Sequence, residues 1–169
     1  MVRLYRLSSF TVVMLIGLLA GSAFAQSGSK PDSSAELATI TKISDSAYAT
    51  FKKAVATTDV NLLLSFFIDT SGVVMPDLNA IQGLDNIRKR APLLMRVVAG
   101  GKLEIKRETM RLREDGLLAR DAGKFTVTKK LEDGSTWRFD GTHTLFWKKI
   151  DGVWKLDRVF IGEDPRPKR

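Results

Sequence analysis

The sequence predicts an α+β domain in which three N-terminal helices lie on one face of a curved antiparallel sheet. Three observations lead there. Between Leu37 and Val98 apolar residues recur every three or four positions, and from Lys102 onward they recur every second position. Asp-Gly pairs at 115–116, 133–134 and 151–152 then divide the second half at hairpin spacing. Helices first and a strand meander afterwards is the order of a layered α+β domain, not of an alternating α/β one. The 169 residues suit a single domain, and a chain 44% hydrophobic and 27% charged has an ordinary globular composition.

The first 25 residues stand apart. Arg3 and Arg6 precede the apolar run from Phe10 to Ala25, which closes on Ala23-Phe24-Ala25. A basic start, an apolar middle and a small-x-small end are the marks of a secretory signal peptide cut after Ala25. The run is shorter than the ~20 residues a membrane-spanning helix needs. The expectation is an exported protein, periplasmic or secreted, with no stable membrane anchor after cleavage. It has no cysteine, so core burial alone holds it in a compartment that would permit disulfides. The expected organisation is a signal peptide over 1–25, a linker over 26–33, a folded domain over 34–162 and a polar tail over 163–169.

Within the domain, Ser33-x-x-Glu36 reads as a capping box opening a helix whose apolar positions are Leu37, Ile40, Ile43, Ala47, Phe51 and Ala54. Asp59 is the N-cap of a second, shorter helix carrying Leu62, Leu63, Phe66 and Phe67. Gly72 to Met75 is a short strand stopped by Pro76. A third helix is expected from Asp85, with Ile87, Ala91, Leu94, Met95 and Val98 on one side and Pro92 kinking or splitting it. Four long strands follow.

Charge is unevenly spread. Removal of residues 1–25 leaves 25 basic against 19 acidic residues, a net +6. Segment 86–113 alone holds nine basic and two acidic residues, +7. Such a segment suits anionic lipid, nucleic acid or an acidic ligand. Export and the lack of interleaved aromatics argue against nucleic acid, and the plain reading is a solvated helix face plus an edge strand.

His143 is the only histidine. The strand around it has the apolar phase Trp137, Phe139, Gly141, His143, Leu145, Trp147, and the strand before it has Leu117, Ala119, Asp121, Gly123, Phe125, Val127. A two-residue loop at Asp151-Gly152 sets His143 opposite Phe160 and Leu145 opposite Arg158. Matching the two apolar phases requires an odd-length loop or a bulge near Asp133-Gly134 and puts His143 beside Gly123 or Phe125. The inner face then carries Asp121, His143 and Arg158. Three buried polar groups must pair among themselves or line a wet pocket. A carboxylate beside an imidazole is also the minimal general-base pair. One histidine without cysteine is a poor metal set, and no nucleotide, phosphate-loop or GxSxG signature is present, so no metal and no cofactor are expected.

The long first helix ending near Asp59, FFIDTSGVVMP, IQGLDNI and the closing TLFWKKIDGVWKLDRV together resemble the cone-shaped superfamily of nuclear transport factor two, ketosteroid isomerase and SnoaL-like cyclases, over residues 36–162. The resemblance implies a curved sheet around three helices, a pocket at the open end of the cone, and homodimers formed through the sheet. It does not carry over the isomerase chemistry. The positions of the isomerase's general base, oxyanion-hole tyrosine and oxyanion carboxyl fall on Met75, Phe51 and Thr144, none of which handles a proton at neutral pH.

Three functions remain open on the sequence. The first is an exported domain binding a small apolar or weakly anionic ligand in a pocket lined by Tyr48, Phe51, Trp137, Phe139, His143 and Arg158. The second is an enzyme of isomerase, cyclase or hydrolase type with His143 as general base, Asp121 as its orienter and Arg158 holding an anionic or carbonyl group. The third is a dimeric interaction module with a vestigial pocket.

Overall fold

The structure, a computed structural model, describes residues 33–76 and 78–164. The signal segment, most of the linker, Asp77 and the tail beyond 164 lie outside the described residues. Helix α1 spans Ser33–Thr57, α2 Val60–Leu63 and α3 Leu84–Val98; strands are β1 Phe67–Val74, β2 Ile81–Gln82, β3 Lys102–Leu112, β4 Leu118–Lys130, β5 Thr136–Ile150 and β6 Val153–Glu163. The six strands form one curved sheet in the order β2-β1-β6-β5-β4-β3. All neighbours are antiparallel except β1 and β6, which run parallel. Where that parallel pairing breaks, buried Ser71 donates to Leu156 O at 2.6 Å and accepts from Ile68 N at 2.9 Å, so both backbone groups keep a partner.

Local chemistry explains most boundaries. Asp59 caps α2 by accepting from Leu62 N at 2.9 Å, but α2 is only one turn long, and Phe67 already belongs to β1. Glu36 does not act mainly as a cap partner. Its carboxylate accepts from Trp154 Nε1 at 2.6 Å and Lys149 Nζ at 2.8 Å, fastening the start of α1 to the last hairpin. The N-cap of α3 is Gly83 at φ +86°, not Asp85, which sits in the first turn where its charge complements the helix dipole. Pro92 does not split α3: the helix is continuous, and Pro92 is on its exposed side, where water can satisfy the carbonyl its ring leaves unpaired.

The core lies between the helices and one face of the sheet. Ile40, Ala47, Phe51, Ala54, Leu145, Trp147, Trp154 and Leu156 are all buried there. The β4–β5 register pairs His143 with Gly123 and Leu145 with Asp121 across a five-residue, odd-length loop between Lys130 and Thr136, choosing the first of the two placements the phase argument leaves open.

The β5–β6 register differs from the expected one. It holds from Ile150↔Val153 to Trp147↔Leu156, then slips by one residue, so that Phe146 pairs with Arg158 and His143 with Ile161. Asp157 is the extra residue of a β-bulge, and beyond it every side chain of β6 changes face. Arg158 and Phe160 therefore leave the inner face, and Val159 and Ile161 enter it. Arg158 lies on the outer face, where it donates to Gln82 Oε1.

Deleting Asp157 removes only the extra residue: Trp147↔Leu156 and Phe146↔Arg158 become consecutive pairs, and Arg158 stays outward while Val159 and Ile161 stay inward. Calorimetry is expected to show that this deletion still melts cooperatively, because the core face of β6 is unchanged. Asp157→Ala keeps the bulge and loses only a partly exposed 3.6 Å ion pair with Arg158, so it is expected to change stability by less than ~1 kcal/mol.

Candidate functional site

Five polar side chains from four elements meet under the helices. Ser44 and Tyr48 are one turn apart on α1 and so share its buried face. Arg107, Asp121 and His143 come from the inward phase of β3, β4 and β5. Arg107, Gly123 and His143 stand in one row across those strands. A β-bulge at Glu108 brings β3 close to β4, and a Cβ on residue 123 would collide with Lys106 O and lie 3.0 Å from His143 Cε1. Only glycine fits there.

Asp121 is the hub. It is fully buried, and its carboxylate accepts from Ser44 Oγ at 2.5 Å, Tyr48 Oη at 2.7 Å and Arg107 Nε at 2.9 Å. Arg107 also reaches Asp45 at 2.8 Å through Nη1, and its guanidinium stacks 5.1 Å above the Tyr48 ring. Burial pushes the Asp121 carboxyl upward, but the groups around it outweigh burial and hold it at about 2. These are His143, with Nε2 3.9 Å away, and the donors Ser44, Tyr48 and Arg107. Asp121 is therefore an anion. Tyr48 is pushed well above its ordinary value, first by burial and then by Asp121, and keeps its proton.

Those two protonation states decide the direction of the remaining bond. The Tyr48 hydroxyl has one proton, and it goes to the anionic Asp121. The 2.8 Å contact between Tyr48 Oη and His143 Nε2 must then be donated by the histidine. His143 therefore carries a proton on Nε2, and its Nδ1 is buried without a partner. So Asp121 and His143 are linked through Tyr48 and not directly.

Beside this network lies a cavity of about 240 Å³ enclosed by α1, α2, α3 and the sheet. Its wall includes Phe51, Met75, Ala91, Met95, Val127 and Leu145, and among the described residues Tyr48 and His143 alone bring polar side chains to it. Tyr48 Oη and His143 Nε2 both turn into the network, so the wall is almost wholly carbon.

Tyr48, Phe51, Phe139 and His143 border the cavity, and Asp121 stands behind it in the network. Trp137 does not border it: the indole stacks on Phe139, with centroids 6.1 Å apart and planes at 9°. Arg158 does not border it either, because the bulge at Asp157 turns it to the other face. The sequence reading does not single out Ser44 and Arg107. Ser44 lies four residues before Tyr48 on the buried stripe, and Leu103-x-Ile105-x-Arg107 has the inward phase of an edge strand, so both were readable in principle. Among the described residues no group of three His, Asp or Glu side chains is placed to hold a metal ion.

No family model matches the chain, and no curated protein matches it. Solved structures do. A ketosteroid isomerase-like protein from Erwinia carotovora superposes with a TM-score of 0.64 at 16% identity, covering 78% of this chain and 98% of that one. A nuclear transport factor 2-like superfamily protein from Salmonella enterica gives 0.59 at 18% identity, over 79% and 95%. The chain has the NTF2-like fold. The same fold extends to the association domain of CaMKII from C. elegans, with a TM-score of 0.56 at 13% identity over 77% of this chain and 97% of that one. At these identities the NTF2-like likeness is one of architecture, and function has to be argued from side chains.

Asp121→Asn leaves Arg107 with a neutral partner and is expected to lower stability by about 3 kcal/mol in chemical denaturation. The pH dependence follows from the direction of the shift. A carboxyl held at about 2, below an ordinary value of 3.8, stabilises the fold fully above about pH 4 and loses that contribution as pH falls from 4 to 2. The wild type is expected to lose about 2 kcal/mol across that window beyond what Asp121→Asn loses, measured as denaturation midpoints at each pH.

Proposed function

We propose that this protein is an exported domain that binds one small apolar molecule in the cavity between its helices and the sheet. The observation that carries the reading is the carbon wall: the polar groups nearest the cavity bond to one another and offer a ligand almost nothing to hydrogen-bond. Apolar cavities of ~150 Å³ take a benzene ring, so about 240 Å³ suits a molecule of roughly ten carbons, such as a bicyclic arene or a terpenoid alcohol. Two positions support binding over isomerase chemistry. Met75 and Phe51 border the cavity where the resembled isomerase keeps its base and its oxyanion tyrosine, and Thr144 points to the other face of the sheet. Export rests on the composition of residues 1–25.

A second reading has one observation in its favour. The unpartnered Nδ1 of His143 is a base, and a substrate able to reach it could lose a proton there. Dimerisation through the outer sheet face forms part of the proposal too. Phe146 and Phe160 pack edge-to-face there at 5.6 Å, with Phe160 42% exposed.

Saturation-transfer NMR with naphthalene and 1-decanol tests the binding reading. Both are expected to bind the wild type, and Ala91→Phe, which fills the cavity from α3, is expected to lose both while keeping a cooperative melt. Equal binding to the two proteins would overturn the proposal. His143→Gln is expected to leave apolar binding within about threefold, because the cavity contact it removes is a small part of the wall. Loss of turnover without loss of binding in that variant would establish the second reading. Sedimentation of Phe160→Asp is expected to give a monomer where the wild type gives a dimer.

A further inference from the structure

Helix α3 carries apolar side chains on two sides. Ile87, Ala91 and Met95 are buried and border the cavity. Leu93 and Val97 are 64% and 60% exposed, the two most exposed large hydrophobic residues among those described. At about 100° per residue, Lys89, Arg90, Leu93, Arg96 and Val97 fall within an arc of roughly 120°, nearly opposite the buried face. The two apolar side chains thus sit inside a cationic rim. Arg88 is paired with Asp85 at 2.9 Å, whereas Lys89, Arg90 and Arg96 are exposed and make no ion pair among the described residues.

We infer that this face of α3 docks on an anionic lipid surface, with Leu93 and Val97 entering the headgroup boundary and Lys89, Arg90 and Arg96 at the lipid phosphates. Charge complementarity decides the occupant. Long unpaired cations flanking a narrow apolar stripe are what an interfacial helix presents to acidic lipid. A stable protein partner would need roughly 800 Å² of surface with an apolar, charge-depleted centre, and two side chains ringed by cations do not make one. The basic segment of the sequence thereby acquires a role on its helical half. Docking also sets the cavity directly behind the docked helix, within reach of apolar molecules dissolved in the bilayer. That last step rests on the binding reading, whereas docking itself does not.

Co-sedimentation of the full chain with vesicles tests it, using phosphatidylglycerol mixed into phosphatidylcholine against pure phosphatidylcholine. The apolar run before Ala25 is the same in every variant, so differences between variants report α3 alone. The wild type is expected to partition onto the anionic vesicles about tenfold or more above the neutral ones, and to lose that excess at high salt. Leu93→Ser with Val97→Ser is expected to weaken anionic binding about tenfold with all charges kept, and Lys89→Glu with Arg90→Glu and Arg96→Glu to abolish the preference. All the changed side chains are exposed, and thermal midpoints confirm that each variant folds. Equal partitioning of wild type and both variants, or partitioning that ignores vesicle charge, would overturn the inference. Because neither variant touches the cavity, naphthalene binding reads the binding proposal separately.

Discussion

The buried anion Asp121 is the constraint around which the inner half of the fold is arranged. A carboxylate with no access to water is tolerated only when its lone pairs are taken, and the chain takes them from three directions: Ser44 and Tyr48 on α1, and Arg107 on the edge strand β3. These bonds fix how far α1 stands from the sheet and which way its buried stripe points. They also hold the edge strand, whose outer side has no strand neighbour among the described residues, to the helix layer. Apolar contact alone would hold α1 down but would tolerate sliding; a fork from Arg107 to Asp121 and Asp45 does not.

Two bulges decide what reaches that anion. The one at Glu108 shifts β3 so that Arg107 stands level with Gly123 and His143 while Met110 and Leu112 still face inward. The one at Asp157 turns Arg158 outward and delivers Val159 and Ile161 to the cavity wall. One guanidinium is brought in and another is sent out. With both inside, a single carboxylate would face two buried cations and the apolar wall would be broken. The absence of a side chain at Gly123 makes the first bulge possible, because backbone of β3 occupies the space a Cβ would need.

Cavity and network are neighbours with opposite chemistry, and Tyr48 and His143 form the partition. Each shows ring carbon to the cavity and turns a polar atom to Asp121 or to the other. This separation is what distinguishes an apolar binding chamber from an acid–base site, where the polar atoms would converge on the void. His143 Nδ1 and Arg107 Nη2 are the two exceptions to an otherwise closed set of bonds in the cluster.

The sequence by itself determined the layer order, the positions of the first and third helices and the inward phase of Asp121 and His143, since each follows from local periodicity, turn chemistry or a two-residue alternation. It also carried the resemblance to the NTF2-like architecture, through the order of several weak segments. Tertiary structure alone decided the rest. Nothing local marks Asp157 or Glu108 as a bulge, because a bulge is a mismatch between two strands and belongs to neither sequence. Trp154 and Leu156 face inward, and strict alternation would place Arg158 with them; one unforeseen bulge puts it on the opposite face. The roles of Ser44, Tyr48 and Arg107 were hidden for a related reason. A hydroxyl or a guanidinium is at home on a surface by default, and only the buried charge on a distant strand gives it a reason to turn inward.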